Sequence, residues 1–306
     1  MGFLVRGCFD WVNTEMGKLL KEEIMRKWVN GFAAFALALS ATTFANADEK
    51  TLTIATEGAF PPFNMTRPDG TLDGYEIDLA KDLCARMEVE CKIVTQDWDG
   101  VIPALQARKF DVLMAAMSIT PEREQMVDFS IPYQLGLMGF GVMAGTPLAD
   151  LPGTGEAVNI GSNPEKFAEV IEKWKPLLQD KIIGVQSGSS NSIFLEKYLK
   201  DVVEVREYPS TEEHDLDLLS GRVDGVFAAY PVLMGDMEKP EFKDMRIVGT
   251  GVRGDVFGKG AAAAFHKGDT ELKAKFDKAI QAAIDDGTIK KLSIKWFKSD
   301  QTPSNN

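Results

Sequence analysis

Asp111-Val112-Leu113-Met114-Ala115-Ala116 is nearly continuous in apolar side chains, the pattern of a strand covered on both faces of a sheet. Through Met117 it runs into Ser118-Ile119-Thr120-Pro121-Glu122-Arg123, where Thr120 is placed to cap a short helix. Upstream, residues 100–108 read as a helix behind a candidate cap at Asp99, and residues 92–95 as a strand. Residues 75–87 carry Ile77, Leu79, Leu83 and Met87 near helical spacing, and Thr51-Leu52-Thr53-Ile54-Ala55 is a further strand. The order βαβαβ predicts a parallel sheet with right-handed crossovers.

The same plan restarts at the strand Ile182-Ile183-Gly184-Val185. A Ser/Gly loop follows, then a helix over 192–199, a strand over 203–207 and a helix opened by the capping box Ser210-Thr211-Glu212-Glu213. Residues 223–228 are again a strand. Two similar modules predict two lobes, and with no Pro-, Gly- or Ser-rich linker between them the chain is expected to cross more than once. Residues 164–179 form an additional helix behind Asn163 and Pro164, and Trp174 in its apolar stripe reads as core. Leu272, Phe276, Ala279, Ile280, Ala283 and Ile284 make an amphipathic closing helix that stops near Gly287.

Composition narrows the function. The 306 residues leave room for two domains. Against 34 Lys and Arg stand 46 Asp and Glu, a net charge of −12; nucleic acid and anionic membranes need a basic face, so neither is an expected partner. Two histidines and three cysteines give little material for a metal site, and no cofactor is expected. Met25-Arg26-Lys27, the apolar stretch 32–44 and Ala45-Asn46-Ala47 read as a secretory signal cleaved after Ala47, with residues 1–24 as sequence upstream of it. Val5-Arg6-Gly7-Cys8 fits a lipoprotein site poorly, because Arg6 is wrong for one. The exported chain keeps Cys84 and Cys91. Two buried thiols are the plain alternative, but an oxidising compartment favours a disulfide.

Catalytic patterns fail. Gly249-Thr250-Gly251-Val252-Arg253-Gly254 matches a dinucleotide-binding fingerprint in letters only, since no helical period follows it, and it reads as a loop. No G-x-S-x-G elbow occurs, His214 lies in a helix that reads as charged and solvated, and His266 ends a strand. Asn64-Met65-Thr66 is a formal sequon without meaning behind a bacterial-style signal. Binding chemistry survives. The helix start after Thr120 favours an anion, and Arg123 offers a fork to a carboxylate at the carboxyl end of a strand. Ser187-Gly188-Ser189-Ser190 repeats that geometry in the second module, so two helix starts face one small carboxylate.

Gly74-Tyr75-Glu76-Ile77-Asp78-Leu79-Ala80-Lys81-Asp82-Leu83-Cys84 resembles the signature of the family 3 extracellular solute-binding proteins, which serve polar amino acid ABC importers. Glu57, Phe60-Pro61-Pro62-Phe63, the Cys84/Cys91 spacing, Trp98-Asp99, Ser118-Ile119-Thr120 with Arg123, and Asp269-Thr270-Glu271-Leu272 lie in matching order, over residues 50–298. Within the family the chain is most similar to the branch that binds opines of the octopine and nopaline type, through Trp98-Asp99-Gly100, Met114 to Ser118, Ser130-Ile131-Pro132-Tyr133, Glu213 to Leu218 and Lys295-Trp296-Phe297-Lys298.

The resemblance implies an α/β, two-lobed flytrap of the type II periplasmic binding proteins, with a parallel-rich sheet in each lobe. Lobe I would comprise 48–139 plus 250–306 and lobe II 140–249, with a two-strand hinge near 136–139 and 249–254. It implies a ligand site of Glu57, Phe60, Trp98, Ala115, Met117, Ser118, Arg123, Met138, Gln186, Ser189 and Ser190. Phe60 and Trp98 would sandwich the ligand's aliphatic or guanidinium part, and Glu57 would pair with a distal cation. Serines usual beside the ligand are Ala115 and Ala116 here, and the aspartate that pairs with an α-ammonium falls on Ala229. A free ammonium buried without an anion is costly, so Ala229 points to an opine over a plain amino acid. The expected protein is a monomeric periplasmic receptor for an ABC permease, without catalytic residues. A lysine/arginine/histidine-type binder is the nearest alternative. An enzyme like cyclohexadienyl dehydratase shares the fold, and a receptor ectodomain is the weakest reading.

Overall fold

A computed structural model describes residues 51–303; the signal reading, its cleavage site and Cys8 lie outside them. Fourteen strands run in order among these residues: β1 (Leu52–Thr56), β2 (Ala59–Phe60), β3 (Asn64–Thr66), β4 (Leu72–Asp73), β5 (Cys91–Thr95), β6 (Val112–Leu113), β7 (Val127–Phe129), β8 (Met138–Met143), β9 (Ala157–Asn159), β10 (Lys181–Gln186), β11 (Val203–Tyr208), β12 (Gly225–Ala229), β13 (Met245–Arg253) and β14 (Ala264–His266). Nine helices accompany them: α1 (Tyr75–Met87), α2 (Val101–Gln106), α3 (Pro121–Met126), α4 (Pro164–Leu178), α5 (Ser190–Leu199), α6 (Thr211–Leu219), α7 (Tyr230–Met237), α8 (Thr270–Asp285) and α9 (Thr288–Phe297).

The strands build two larger sheets. One has the order β5-β1-β6-β14-β7 and the other β11-β10-β12-β8-β13-β9, while β2-β3-β4 form a small third sheet. In the first, β5, β1 and β6 are parallel, and β14 pairs antiparallel with β6 and β7. In the second, β11, β10 and β12 are parallel and β8 returns antiparallel between β12 and β13. The all-parallel expectation holds for the three strands of each βαβαβ unit. It misses the returning strands, which carry the chain between the sheets. The chain leaves the first sheet after β7 for β8, and leaves β13 to supply β14 to the first sheet.

Local chemistry explains the elements that flank the crevice. Gly74 precedes α1 at φ 130°, where a Cβ would run into the Phe63 carbonyl. The α1 amides of Tyr75 and Glu76 donate to the carbonyls of Pro62 and Phe63. Thr120 Oγ1 accepts from the Arg123 amide 3.3 Å away and caps α3. Asp99 does not cap α2: Gly100 at φ 81° is its N-cap, without a side-chain bond. Residues 249–253 are strand and not loop, because β13 continues through them to pair with β9 across an irregularity after Val248, and only Gly254, at φ 76°, turns out of it.

The cores are aromatic. Phe297 lies 4.6 Å from Tyr75 and 4.7 Å from Phe63, centroid to centroid, beneath the first sheet. Phe140, Trp174, Phe194 and Phe227 interlock in the second, and Trp174 is fully buried as its helical stripe predicts. Cys84 at the end of α1 is disulfide-bonded to Cys91 at the start of β5. His214 is fully buried, contrary to the solvated reading, because it faces β10 beside Gly184. Among the described residues no helix is long and apolar enough to cross a membrane.

Candidate ligand-binding site

The strand ends converge on one cavity. Glu57 follows β1, Ala115 to Ser118 follow β6, Gln186 ends β10, Ala229 ends β12, and Met138 opens the antiparallel β8 opposite Ala229. This is the crevice beyond the carboxyl ends of parallel strands, where open α/β sheets take ligands. Its volume is about 640 Å³, within the usual range for small-molecule sites. Glu57, Phe60, Trp98, Ala115, Ser118, Arg123, Met138, Gln186, Ser189 and Ser190 all line it. Met117 does not; its side chain is packed into the core beside the first sheet with Leu113 and Ile119.

Two charged groups dominate the wall. The Arg123 guanidinium is buried, and no carboxylate lies within ion-pair distance of it among the described residues. It donates instead to the carbonyls of Ser118 at 3.2 Å and Gly188 at 3.3 Å, and its Cζ sits 5.4 Å from the centroid of the Trp98 ring. Desolvation lowers its pKa to about 10. Glu57 is buried too, and among the described residues its one side-chain partner is Gln186, whose Nε2 donates at 2.7 Å. Desolvation raises its carboxyl to about 7, against the Gln186 bond and with help from Glu76, Asp97 and Asp99.

The loop 186–190 reaches from the second sheet to the first at five points, one of them the Ser187 hydroxyl, which donates to Asp99 Oδ1 at 3.4 Å. Besides the Gln186–Glu57 and Gly188–Arg123 bonds, Trp98 Nε1 donates to the Ser187 carbonyl at 3.0 Å and the Ser118 and Ser190 hydroxyls lie 3.3 Å apart. The Ser189 hydroxyl is occupied by the fold: it caps α5 through the Ser192 amide and donates to the Gln186 carbonyl. Trp98 therefore faces Arg123 and Ser187, while Phe60 stacks on Phe63 at 5.3 Å.

Some wall residues gave little signal in the sequence. Asn159, Asn191, Arg253 and Lys259 line the same cavity. Arg253 and Asn159 arrive there because β13 and β9 pair side by side, a long-range contact with no local sequence mark. Lys259 arrives because Gly258, at φ 64°, lets the chain lie against the Ile119 carbonyl where any Cβ would collide. Among the described residues no cluster of His, Cys, Asp and Glu is arranged to hold a metal ion.

Two sheets facing across a crevice lined by one buried cation and one buried carboxylate define a two-lobed binding protein for a small polar solute. Residues 52–299 match the bacterial extracellular solute-binding proteins, family 3, and the chain belongs to that family. It is 47% identical over 277 residues to the octopine-binding periplasmic protein of Rhizobium meliloti, covering 85% of this chain and 94% of the relative. It is 34% identical over 277 residues to the L-arginine-binding protein of Pseudomonas aeruginosa, covering 88% and 97%. The solved structure of an ancestral arginine-binding protein bound to arginine superposes with a TM-score of 0.67 at 34% identity, over 81% of this chain and 98% of that one. The chain is a solute-binding protein and not an enzyme.

Proposed function

We propose that this protein captures a cationic amino acid or an arginine-derived opine in the periplasm and hands it to the permease of an ABC importer. Export by cleavage after Ala47 belongs to the same reading, as do lobe limits at 48–139 plus 250–306 and 140–249.

One observation carries it: among the described residues, a single cavity holds a buried guanidinium without an anion and a buried carboxylate without a cation. Each uncompensated charge costs several kcal/mol, and a ligand with a carboxylate at one end and a guanidinium at the other relieves both. Arg123, Ser118 and the start of α5 hold the carboxylate, Glu57 holds the distal cation, and Phe60 and Trp98 flank the chain between. Ala115, Ala116 and Ala229 leave that part of the wall without a hydroxyl or carboxylate for a free α-ammonium. A secondary amine bearing a second carboxylate suits such a wall better. The names of the octopine-binding and arginine-binding relatives support this choice.

Calorimetry of the exported protein with L-arginine, octopine and nopaline tests the reading. Saturable binding of at least one is expected, with octopine or nopaline preferred over arginine. Arg123→Ala should weaken every ligand by about 2–5 kcal/mol, the scale for truncating a buried charged partner. Ala229→Asp should shift the preference toward arginine. Absence of binding by all three ligands overturns the proposal.

A further inference from the structure

Glu76 lies in the signature helix, away from the cavity lining, and it is 1% exposed. Its carboxylate is the hub of a closed network. Oε2 accepts from Asn64 Nδ2 at 2.6 Å, while Oε1 accepts from the Ala116 amide at 2.6 Å and from the Tyr133 hydroxyl. Asn64 is itself fully buried, and its Oδ1 accepts from the Gly58 amide at 2.7 Å. Each of these partners is joined to a cavity residue. Gly58 adjoins Glu57, Asn64 follows Phe60 and Phe63, Ala116 is part of the wall, and Tyr133 precedes Gln134. Ala116 also holds a left-handed backbone at φ 48°, which a side chain adopts only when its surroundings impose it.

The polarity of this network is forced. An amide N–H of Gly58 can only donate, so the Asn64 atom facing it must be the oxygen. The Asn64 nitrogen must then face Glu76, which is an acceptor. Burial pushes the Glu76 carboxyl above its ordinary range, and its three donors pull it only partly back.

We infer that Glu76 is a positioning residue of the ligand cleft, setting Glu57 and Phe60 through Asn64 and Gly58 and setting the neighbouring 115–118 loop of the same lobe through the Ala116 amide. The inference rests on the cavity being the ligand site. A neutral Glu76→Gln side chain cannot replace the carboxylate. With its nitrogen toward Asn64, two donors collide; with its nitrogen toward Ala116, the amide bond there is lost. Asn64→Asp fails differently, by setting two carboxylates against each other. The double variant Glu76→Gln with Asn64→Asp reverses donor and acceptor on that one bond. Gln Nε2 then donates to the Asp carboxylate, and the Gly58, Ala116 and Tyr133 donors all keep an acceptor.

The test is calorimetry with arginine and octopine on the exported protein, its two single variants and the double variant. Each is measured well below its own unliganded melting temperature, which is recorded alongside. Each single variant should bind at least tenfold more weakly, and the double variant should recover to within threefold of the parent. A merely structural role lowers melting temperature and leaves affinity alone, so single variants within twofold of the parent overturn the inference. A double variant that regains melting temperature without affinity overturns it as well. Where a single variant does not fold, the folded double variant decides: affinity within threefold supports the inference, and a tenfold loss refutes it. A parent protein that binds neither probe overturns the ligand-site reading instead, which keeps the two failures apart.

Discussion

Glu57 and Arg123 are the side chains whose burial has consequences outside the fold. A carboxyl raised from 4.5 to about 7 by desolvation resists ionisation in the folded protein. Its contribution to unliganded stability is therefore highest below the ordinary value, declines as pH rises toward about 7, and stays constant above. A guanidinium docked on Glu57 favours the ionised form, so binding should expel a proton near neutrality. Arginine affinity is expected to rise between about pH 6 and pH 8, with calorimetry in two buffers of different ionisation enthalpy reading proton release. Glu57→Gln should remove both effects and weaken arginine by about 2–4 kcal/mol. It should also raise the unliganded melting temperature at about pH 8, since it deletes a penalised charge. A pH-independent parent affinity would show that Glu57 does not meet the cation. As cavity residues, Arg123 was legible from the capped helix start after a strand, and Glu57 only through the resemblance to the family. Glu76 and Asn64 were not: a carboxylate on an amphipathic helix and a formal sequon look like surface chemistry, and only the meeting of β3, α1 and the 116 loop buries them.

At the scale of elements, legibility follows how local the determining contacts are. The range of α1 reads directly from its apolar spacing and the glycine before it, and the extents of α4, β10 and β11 differ from expectation by only a residue or two. The short antiparallel pieces β2, β3, β4 and β7 and the short parallel strand β9 carry no period long enough to register. β13 was hidden because its glycines look like a loop until β8 and β9 are beside it. The Cys84–Cys91 disulfide belongs to this scale, fastening α1 to β5 over a sequence separation of seven. A loop that short adds about 2–3 kcal/mol in the chain-entropy view. It stands on the flank of the first sheet, and neither sulfur lines the cavity. Replacing both cysteines by serine should lower the melting temperature while leaving calorimetric affinity for arginine or octopine unchanged. A loss of affinity with unchanged stability would contradict that separation.

For the whole molecule, the decisive geometry is the loop 186–190 bridging two sheets that the chain joins through β8 and β13. Its contacts with Glu57, Trp98, Ser118 and Arg123 exist only when the sheets are this close. Such contacts stabilise the closed form by the same amount whichever ligand is inside, so they scale all affinities together. Trp98→Phe isolates one of them. Phenylalanine keeps a ring against Arg123 and deletes the indole N–H that donates to the Ser187 carbonyl. Removing a donor from a partly buried carbonyl costs about 1 kcal/mol, so arginine, octopine and nopaline should each weaken about fivefold. Because the bond forms after encounter, the change should fall on dissociation rates, measured by stopped flow, with association rates unaltered. This pattern is opposite to that of Glu57→Gln, which separates ligands by their distal charge. If Trp98→Phe instead weakens one ligand strongly and spares another, the tryptophan reads the ligand directly and its bond to Ser187 contributes nothing to closure.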